Sequence, residues 1–297
     1  MVLKNKNIDL TYARQFIPNR AADAYKNQFG HILIIAGNQE MGGAGQMAAL
    51  ASVYSGAGLT MLATDPVNTA AVHSVLPEVM VCDFMDEQKL NSAISKASVI
   101  LIGPGMGLDN KFQWETLKNN LMKTAEKKKL VVDGDALTFL AREIRFDTKW
   151  IQFMKTSNHD FVLTPHRGEW ARLTQGSIDP EDNESVQNWV NQMGVYLILK
   201  GAPTKIYQAN GDIIYINIQG NPGMSIGGMG DTLAGIIAGF LGQIKEIANA
   251  IILANFIHSY IADIIYENNY IVLPSEISRR IPATLKAIQR NKGDIIH

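Results

Sequence analysis

The sequence predicts an α/β fold in three layers, with a mostly parallel central sheet between two layers of helices. Three observations carry this. Short unbroken apolar runs recur along the chain, as strands buried on both faces do. Each run stops at a loop rich in glycine or polar residues. Helical patterns fill the intervals, which calls for right-handed βαβ crossovers.

The elements follow in chain order. Residues 32–36 read as the first buried strand, 37–45 as a glycine-rich loop, and 46–55 as a small-residue helix. Residues 59–63 form the next strand. Strands at 98–102, 130–132, 161–163 and 196–199 end respectively in Gly103-Pro104-Gly105, Asp133-Gly134-Asp135, Thr164-Pro165-His166 and Lys200-Gly201. Residues 205–207 and 213–216 flank Asn210-Gly211, a hairpin signal, so antiparallel strands are expected at one edge. A second glycine-rich loop covers 220–230. Helical patterns at 231–242, 244–267 and 275–288 complete the chain. No linker or repeat divides it, and one domain over 1–297 is the reading.

Composition narrows the function. The net charge is −1, with 46% hydrophobic and 19% charged residues. No basic stripe marks a nucleic-acid surface. Lys127-Lys128-Lys129 reads as a solvated helix end. The single cysteine, Cys82, excludes an internal disulfide and a cysteine-rich zinc site. Its apolar neighbours make it a small buried residue. Residues 1–9 lack an apolar signal region, and the apolar stretch at 248–257 is interrupted by Asn249 and Asn255, so no membrane span is expected. A cytoplasmic protein follows. His31, His73, His159 and His258 show no metal-ligand spacing.

In open parallel sheets ligands bind at the carboxyl ends of the strands. The strongest local signal there is the run from Asn221 to Asp231, with four glycines in eight residues before a helix. Glycine backbones and a helix N-terminus together make an anion hole for phosphate. Asp231 at its mouth reads as a base for an attacking hydroxyl or as the helix N-cap. Gly37 and Gly42 have P-loop spacing but lack the following Lys-Ser/Thr. Gly43 to Ala48 matches G-x-G-x-x-A, yet comes too late after its strand for a dinucleotide turn. Lys200 reads as a phosphate contact or a solvated turn residue. His166, Arg167 and Glu169 lie at a strand terminus where ligand contact is expected. Asp133 and Asp135 can hold magnesium through water, or Asp135 can cap the next helix.

Read in order, these six motifs resemble the ADP- or ATP-dependent NAD(P)H-hydrate dehydratases, relatives of ribokinase and hydroxyethylthiazole kinase. The resemblance runs over residues 30–240. It implies a ribokinase-like fold and removal of water from NADH or NADPH hydrated at ring carbon 6 (the S epimer), driven by ADP or ATP. It implies that Ala44, Gly107, His166 and Asp231 contact the hydrated cofactor. Lys200, Gly201, Ala202, Pro203, Thr204 and Gly230 would contact the nucleotide. Asp231 would be the catalytic base, with AMP and phosphate as products when ADP is the donor. Mg2+ is expected, with its ligands unassigned. So are a homotetramer and a separate epimerase partner. Met229 and Thr232 depart from the usual pattern. The alternatives are a small-alcohol kinase of hydroxyethylthiazole or hydroxymethylpyrimidine type, a nucleotide-sensing module without turnover, and a Rossmann dehydrogenase.

Overall fold

A computed structural model describes residues 3–290. Ten strands form one sheet: β1 Lys4–Asn7, β2 His31–Ile35, β3 Leu59–Thr64, β4 Met80–Asp83, β5 Val99–Ile102, β6 Lys129–Val132, β7 Asp160–Leu163, β8 Tyr196–Leu199, β9 Thr204–Gln208 and β10 Ile213–Asn217. Their order is β1-β10-β9-β8-β7-β6-β5-β2-β3-β4. From β4 to β8 all neighbours are parallel, and β9 is antiparallel to both β8 and β10. Helices and apolar cores cover both faces. The expected three-layer architecture and antiparallel edge are both present. Asn210 adopts φ 61° at the hairpin turn, the left-handed conformation that Asn-Gly turns use.

Several local expectations need correction. β1 escaped the sequence reading because all four residues, Lys-Asn-Lys-Asn, are exposed. Backbone bonding rather than burial holds it, with Lys4 N donating to Asp212 O at 2.8 Å and Ile8 N to Ile216 O at 2.9 Å. Lysines on such an edge discourage further pairing. The first glycine loop ends early. Asn38 Oδ1 accepts from Met41 N at 2.7 Å, and a helix starts at Gly42 rather than Gln46. Lys128 is buried, not solvated, and its Nζ donates to Ser95 O and Ala97 O. Helix Ile247–Tyr266 is long and apolar enough to cross a membrane, contrary to the sequence reading, yet it is mostly buried in the protein core. Asn255 does not interrupt it, because its Nδ2 bonds back to Ile251 O at 2.8 Å.

Helices Gly42–Tyr54 and Met229–Leu241 cross closely. A Cβ on Gly235 would run into the Ala48 carbonyl and lie 2.9 Å from Ala48 Cα; one on Gly239 would lie 2.9 Å from Ser52 O. Only hydrogen fits at these positions, and backbone meets backbone. Gly43, in the same helix as Ala48, has open space around it. Gly235→Ala should therefore destabilise the protein by about 1–3 kcal/mol through overpacking. Gly43→Ala should stabilise it by about 0.5–1 kcal/mol through helix propensity. Urea unfolding of the two variants measures both signs.

Candidate active site

β2 continues to β3 on one side, while β5 lies on its other side, so the strand order reverses between β2 and β5. This switch point opens a crevice at the carboxyl ends. The loops after both strands are tied across it. Gly37 N donates to Pro104 O at 2.9 Å and Asn38 N to Gly105 O at 2.7 Å. Ala44 packs here, since a Cβ on Gly105 would lie 2.7 Å from the Ala44 Cβ. Gly107 N donates to Asp135 Oδ2 at 2.7 Å. The structure thus brings Ala44, Gly107 and Asp135 to one place. Asp135 is not an N-cap; Gly134 holds that position.

The ends of β6, β7 and β8 supply a charge cluster. Lys200 Nζ lies 2.8 Å from Asp133 Oδ1 and 3.9 Å from Glu169 Oε2. Thr164 Oγ1 donates to the same Asp133 oxygen at 2.6 Å. Lys200 N donates to Pro165 O at 2.9 Å, which joins the β7 and β8 termini. His166 caps helix Arg167–Thr174: its Nδ1 accepts from Gly168 N at 3.0 Å, while His166 N donates to Glu169 Oε2 at 2.8 Å. Arg167 is exposed and pairs with Glu181. Lys200 is therefore no solvated turn residue. The sequence reading missed its two carboxylate partners, which lie 67 and 31 positions away with no local signal to join them.

Asp231 faces this cluster from the first turn of helix Met229–Leu241. The N-cap is Gly228, in the left-handed region, so the N-cap reading of Asp231 fails. Burial pushes the Asp231 carboxyl up to about 6, with Asp133 adding to the rise and Lys200 opposing it. Burial likewise raises Glu169, against the pull of Lys200. Burial opposes the charge on Lys200, yet Asp133, Glu169 and Asp231 hold its ammonium above the ordinary range. A Cβ on Gly230 would lie 3.4 Å from Lys200 Nζ, so the helix terminus meets the lysine directly.

Beside the cluster lies a cavity of about 730 Å³. Lys200, Gly201, Ala202, Pro203, Thr204 and Gly230 all line it. Segment 218–222 and Asn255, His258 and Ser259 of helix Ile247–Tyr266 also line it, which the sequence reading had not assigned. Ala44, Gly107 and His166 are not part of its wall. Nor is Asp231, which adjoins the cavity through its chain neighbour Gly230. No group of three His, Cys, Asp or Glu side chains able to hold a metal occurs among the described residues. Cys82 is half-buried, and burial raises its thiol to about 11, so it stays an unreactive side chain.

A buried carboxyl, a buried ammonium and an uncapped helix N-terminus on this sheet are the groups that a phosphoryl-handling enzyme of the ribokinase-like class calls for. Residues 32–283 match the family model described as NAD(P)H-hydrate dehydratase. An ADP-dependent (S)-NAD(P)H-hydrate dehydratase from Lactiplantibacillus plantarum is 40% identical, over 90% of this chain and 91% of that protein. A crystal structure of a ribokinase-like superfamily protein from Enterococcus faecalis superposes with a TM-score of 0.87 at 37% identity, covering 96% of this chain and 97% of that one. The ADP/ATP-dependent NAD(P)H-hydrate dehydratase from Bacillus subtilis, co-crystallised with ATP and Mg2+, gives 0.80 at 25% identity, over 94% and 97%. The chain belongs to the NAD(P)H-hydrate dehydratase family.

The raised Asp231 carboxyl has a consequence for stability. An acid whose folded pKa lies above its unfolded value penalises the folded state once it ionises. That penalty is absent below about pH 4, grows as pH rises toward 6, and is complete above it. Asp231→Asn should thus stabilise the protein by about 1–3 kcal/mol at pH 8, after discounting for solvent screening. The gain should vanish near pH 4. Urea unfolding at the two pH values measures it.

Proposed function

We propose that this protein is an ADP-dependent (S)-NAD(P)H-hydrate dehydratase that restores NADH and NADPH from their hydrated forms. The observation that carries the reading is Asp231. It is a buried carboxyl raised to about 6, at an uncapped helix N-terminus, next to Gly230 of the cavity wall. The family membership and the printed activity of the relatives support the same reading.

The chemistry follows from the residues. Hydroxide leaves poorly, and a phosphate ester leaves well. Asp231 takes the proton of the carbon-6 hydroxyl as its oxygen attacks the terminal phosphorus of the nucleotide. The bond to the departing AMP breaks as the new phosphorus–oxygen bond forms. Amides of the glycine-led first turn and the Lys200 ammonium stabilise the charge on the transferring group. The ring nitrogen then expels phosphate from carbon 6. Loss of a carbon-5 proton closes the dihydropyridine double bond. Ala44, Gly107 and His166 are assigned to the hydrated cofactor. Residues Lys200 to Thr204 and Gly230 are assigned to the nucleotide.

The residues fit magnesium carried mainly on nucleotide phosphates and water, as is usual for this ion. Asp133 is committed through Oδ1 to Lys200 and Thr164, and Asp135 through Oδ2 to Gly107, which leaves at most their other oxygens for water-mediated contact. When bound, the ion would supply charge neutralisation at the phosphates. The proposal includes a cytoplasmic location, from the composition, and a homotetramer and a separate epimerase acting on the same substrate pool, both from the resemblance.

Purified protein with Mg2+, ADP and hydrated NADH should raise absorbance at 340 nm and form AMP and phosphate. Folded protein that binds nucleotide but gives no rise with ADP or ATP would point instead to a small-alcohol kinase. Asp231→Asn should lower kcat by about 10²–10⁴-fold while leaving nucleotide affinity nearly unchanged. For the native enzyme, kcat/KM should fall about tenfold per pH step below pH 6 and level off above it. A flat profile in initial-rate assays from pH 5 to 8 would remove Asp231 as the base. Ala44→Trp should block the hydrated cofactor and spare AMP binding, as calorimetry with each ligand would report.

A further inference from the structure

The nucleotide cavity is bordered by an unusual set of side-chain atoms. His258 Nε2, Gln219 Oε1 and Asn221 Oδ1 belong to residues that line it, and none has a hydrogen-bond partner. Asn217 Oδ1, directly behind Asn255 and Ser259, is a fourth. All four are shut away from solvent. The amide oxygens can only accept a hydrogen bond. The Asn217 and Asn221 assignments are fixed by their amide nitrogens, which donate to Asn255 O at 3.0 Å and Asp263 Oδ1 at 2.8 Å.

His258 accepts as well. It is 5% exposed on a largely apolar helix, and burial holds its imidazole down at about 4, so the ring is neutral. Its backbone contact with Met229 favours the protonated ring, as a carbonyl acceptor does, which puts the single proton on Nδ1. Nε2 then carries the free lone pair. Each unpaired buried acceptor is costly, and such groups call for a partner that arrives later. Three of these residues line the cavity with an acceptor held just behind its surface, which favours a ligand edge made of donors once a side chain turns toward it.

Building on the proposed nucleotide dependence, we infer that His258 reads the base, its Nε2 accepting from the exocyclic amino group of adenine and so rejecting bases with a carbonyl at that position. Guanine and hypoxanthine present an oxygen there, and two lone pairs would meet. A small side-chain rotation of the kind common on binding seats the donor. Asn221 and Gln219 add acceptors for the hydroxyl and amino donors of the same nucleoside.

The test compares AMP with IMP, and ADP with IDP, which differ in that one group. The native protein should bind AMP about 10–100-fold more tightly than IMP. His258→Leu should erase most of that preference by weakening AMP alone. His258→Gln, which restores an acceptor, should keep much of it. Equal affinities for AMP and IMP in the native protein, or a preference unchanged in His258→Leu, would overturn the inference. Should the Leu variant fail to fold, ¹⁵N NMR of the native histidines decides. AMP should shift the Nε2 resonance of His258 and IMP should not; equal shifts, or none, overturn it. Neither measurement needs turnover. Discrimination without dehydration would sink the proposed reaction alone, and dehydration without discrimination would sink the base-reading role alone.

Discussion

The site depends on one close contact, the crossing of helices Gly42–Tyr54 and Met229–Leu241 at Gly235 and Ala48. The first helix begins in the loop after β2, and the second begins under the second glycine loop. Their N-termini can share a site only if their axes approach within backbone distance. Gly235 and Gly239 permit that approach, and Gly45 repeats the device against the Ala36 carbonyl, 3.1 Å from where its Cβ would lie. The helix interiors give up propensity at these glycines. In exchange, two helix starts that are 187 positions apart in sequence, Gly42 and Met229, form one surface.

That surface concentrates charge. Asp133, Glu169, Asp231 and Lys200 stand together with only one ammonium among three carboxylates. The lysine satisfies Asp133 most directly and leaves Asp231 the least compensated. The same imbalance that burdens the fold leaves a carboxyl ready to take a proton near neutral pH. Phosphate arriving beside Lys200 adds negative charge to this cluster. The amides of the uncapped helix terminus are the counterweight that the chain itself supplies.

Much of the fold was legible in the sequence because it rests on local patterns. Unbroken apolar runs such as Ile32 to Ile35 and Phe161 to Leu163 have few other uses. Strand ends were marked by glycine or by Asp and Thr, and Asn210-Gly211 named its own turn. β1 was illegible because an exposed edge strand needs no apolar residue. The start of helix Gly42–Tyr54 was misplaced because three glycines in four residues mask a helix that tertiary packing imposes. In the candidate site, Lys200 and Asp231 were visible from motif context. Their couplings to Asp133 and Glu169 were not, since ion pairs between strand ends leave no trace in spacing. The acceptor wall was equally silent. Gln219, Asn221 and His258 are ordinary polar residues until the fold faces them onto one cavity.

The two readings of Asp231, base and helix cap, turn out to be chemically exclusive. A capping carboxylate accepts from the first-turn amides and so fills the anion hole with the protein's own charge. Helices led by Asp86, Asp147 and Asp182 do this, each with a side-chain bond to a first-turn amide. The helices that start at Gly42, Asp135 and Met229 do not. Their N-caps are Met41, Gly134 and Gly228, none with a side-chain bond. All three lie at the ligand-binding side of the sheet. The first amides at Asp135 bond back to the Gly103, Asp133 and Gly134 carbonyls, whereas no side chain caps Met229–Leu241, whose terminus carries the partial positive charge of a helix end. Placing glycine at the cap and aspartate at the third helical position keeps the first-turn amides clear of the protein's own carboxylate. It also leaves the Asp231 carboxylate without an amide to bind, so its proton affinity stays high. The distinction between the capping aspartates and Asp231 therefore lies in a three-residue displacement along the helix, which fixes whether the carboxylate binds the first-turn amides or stands free of them.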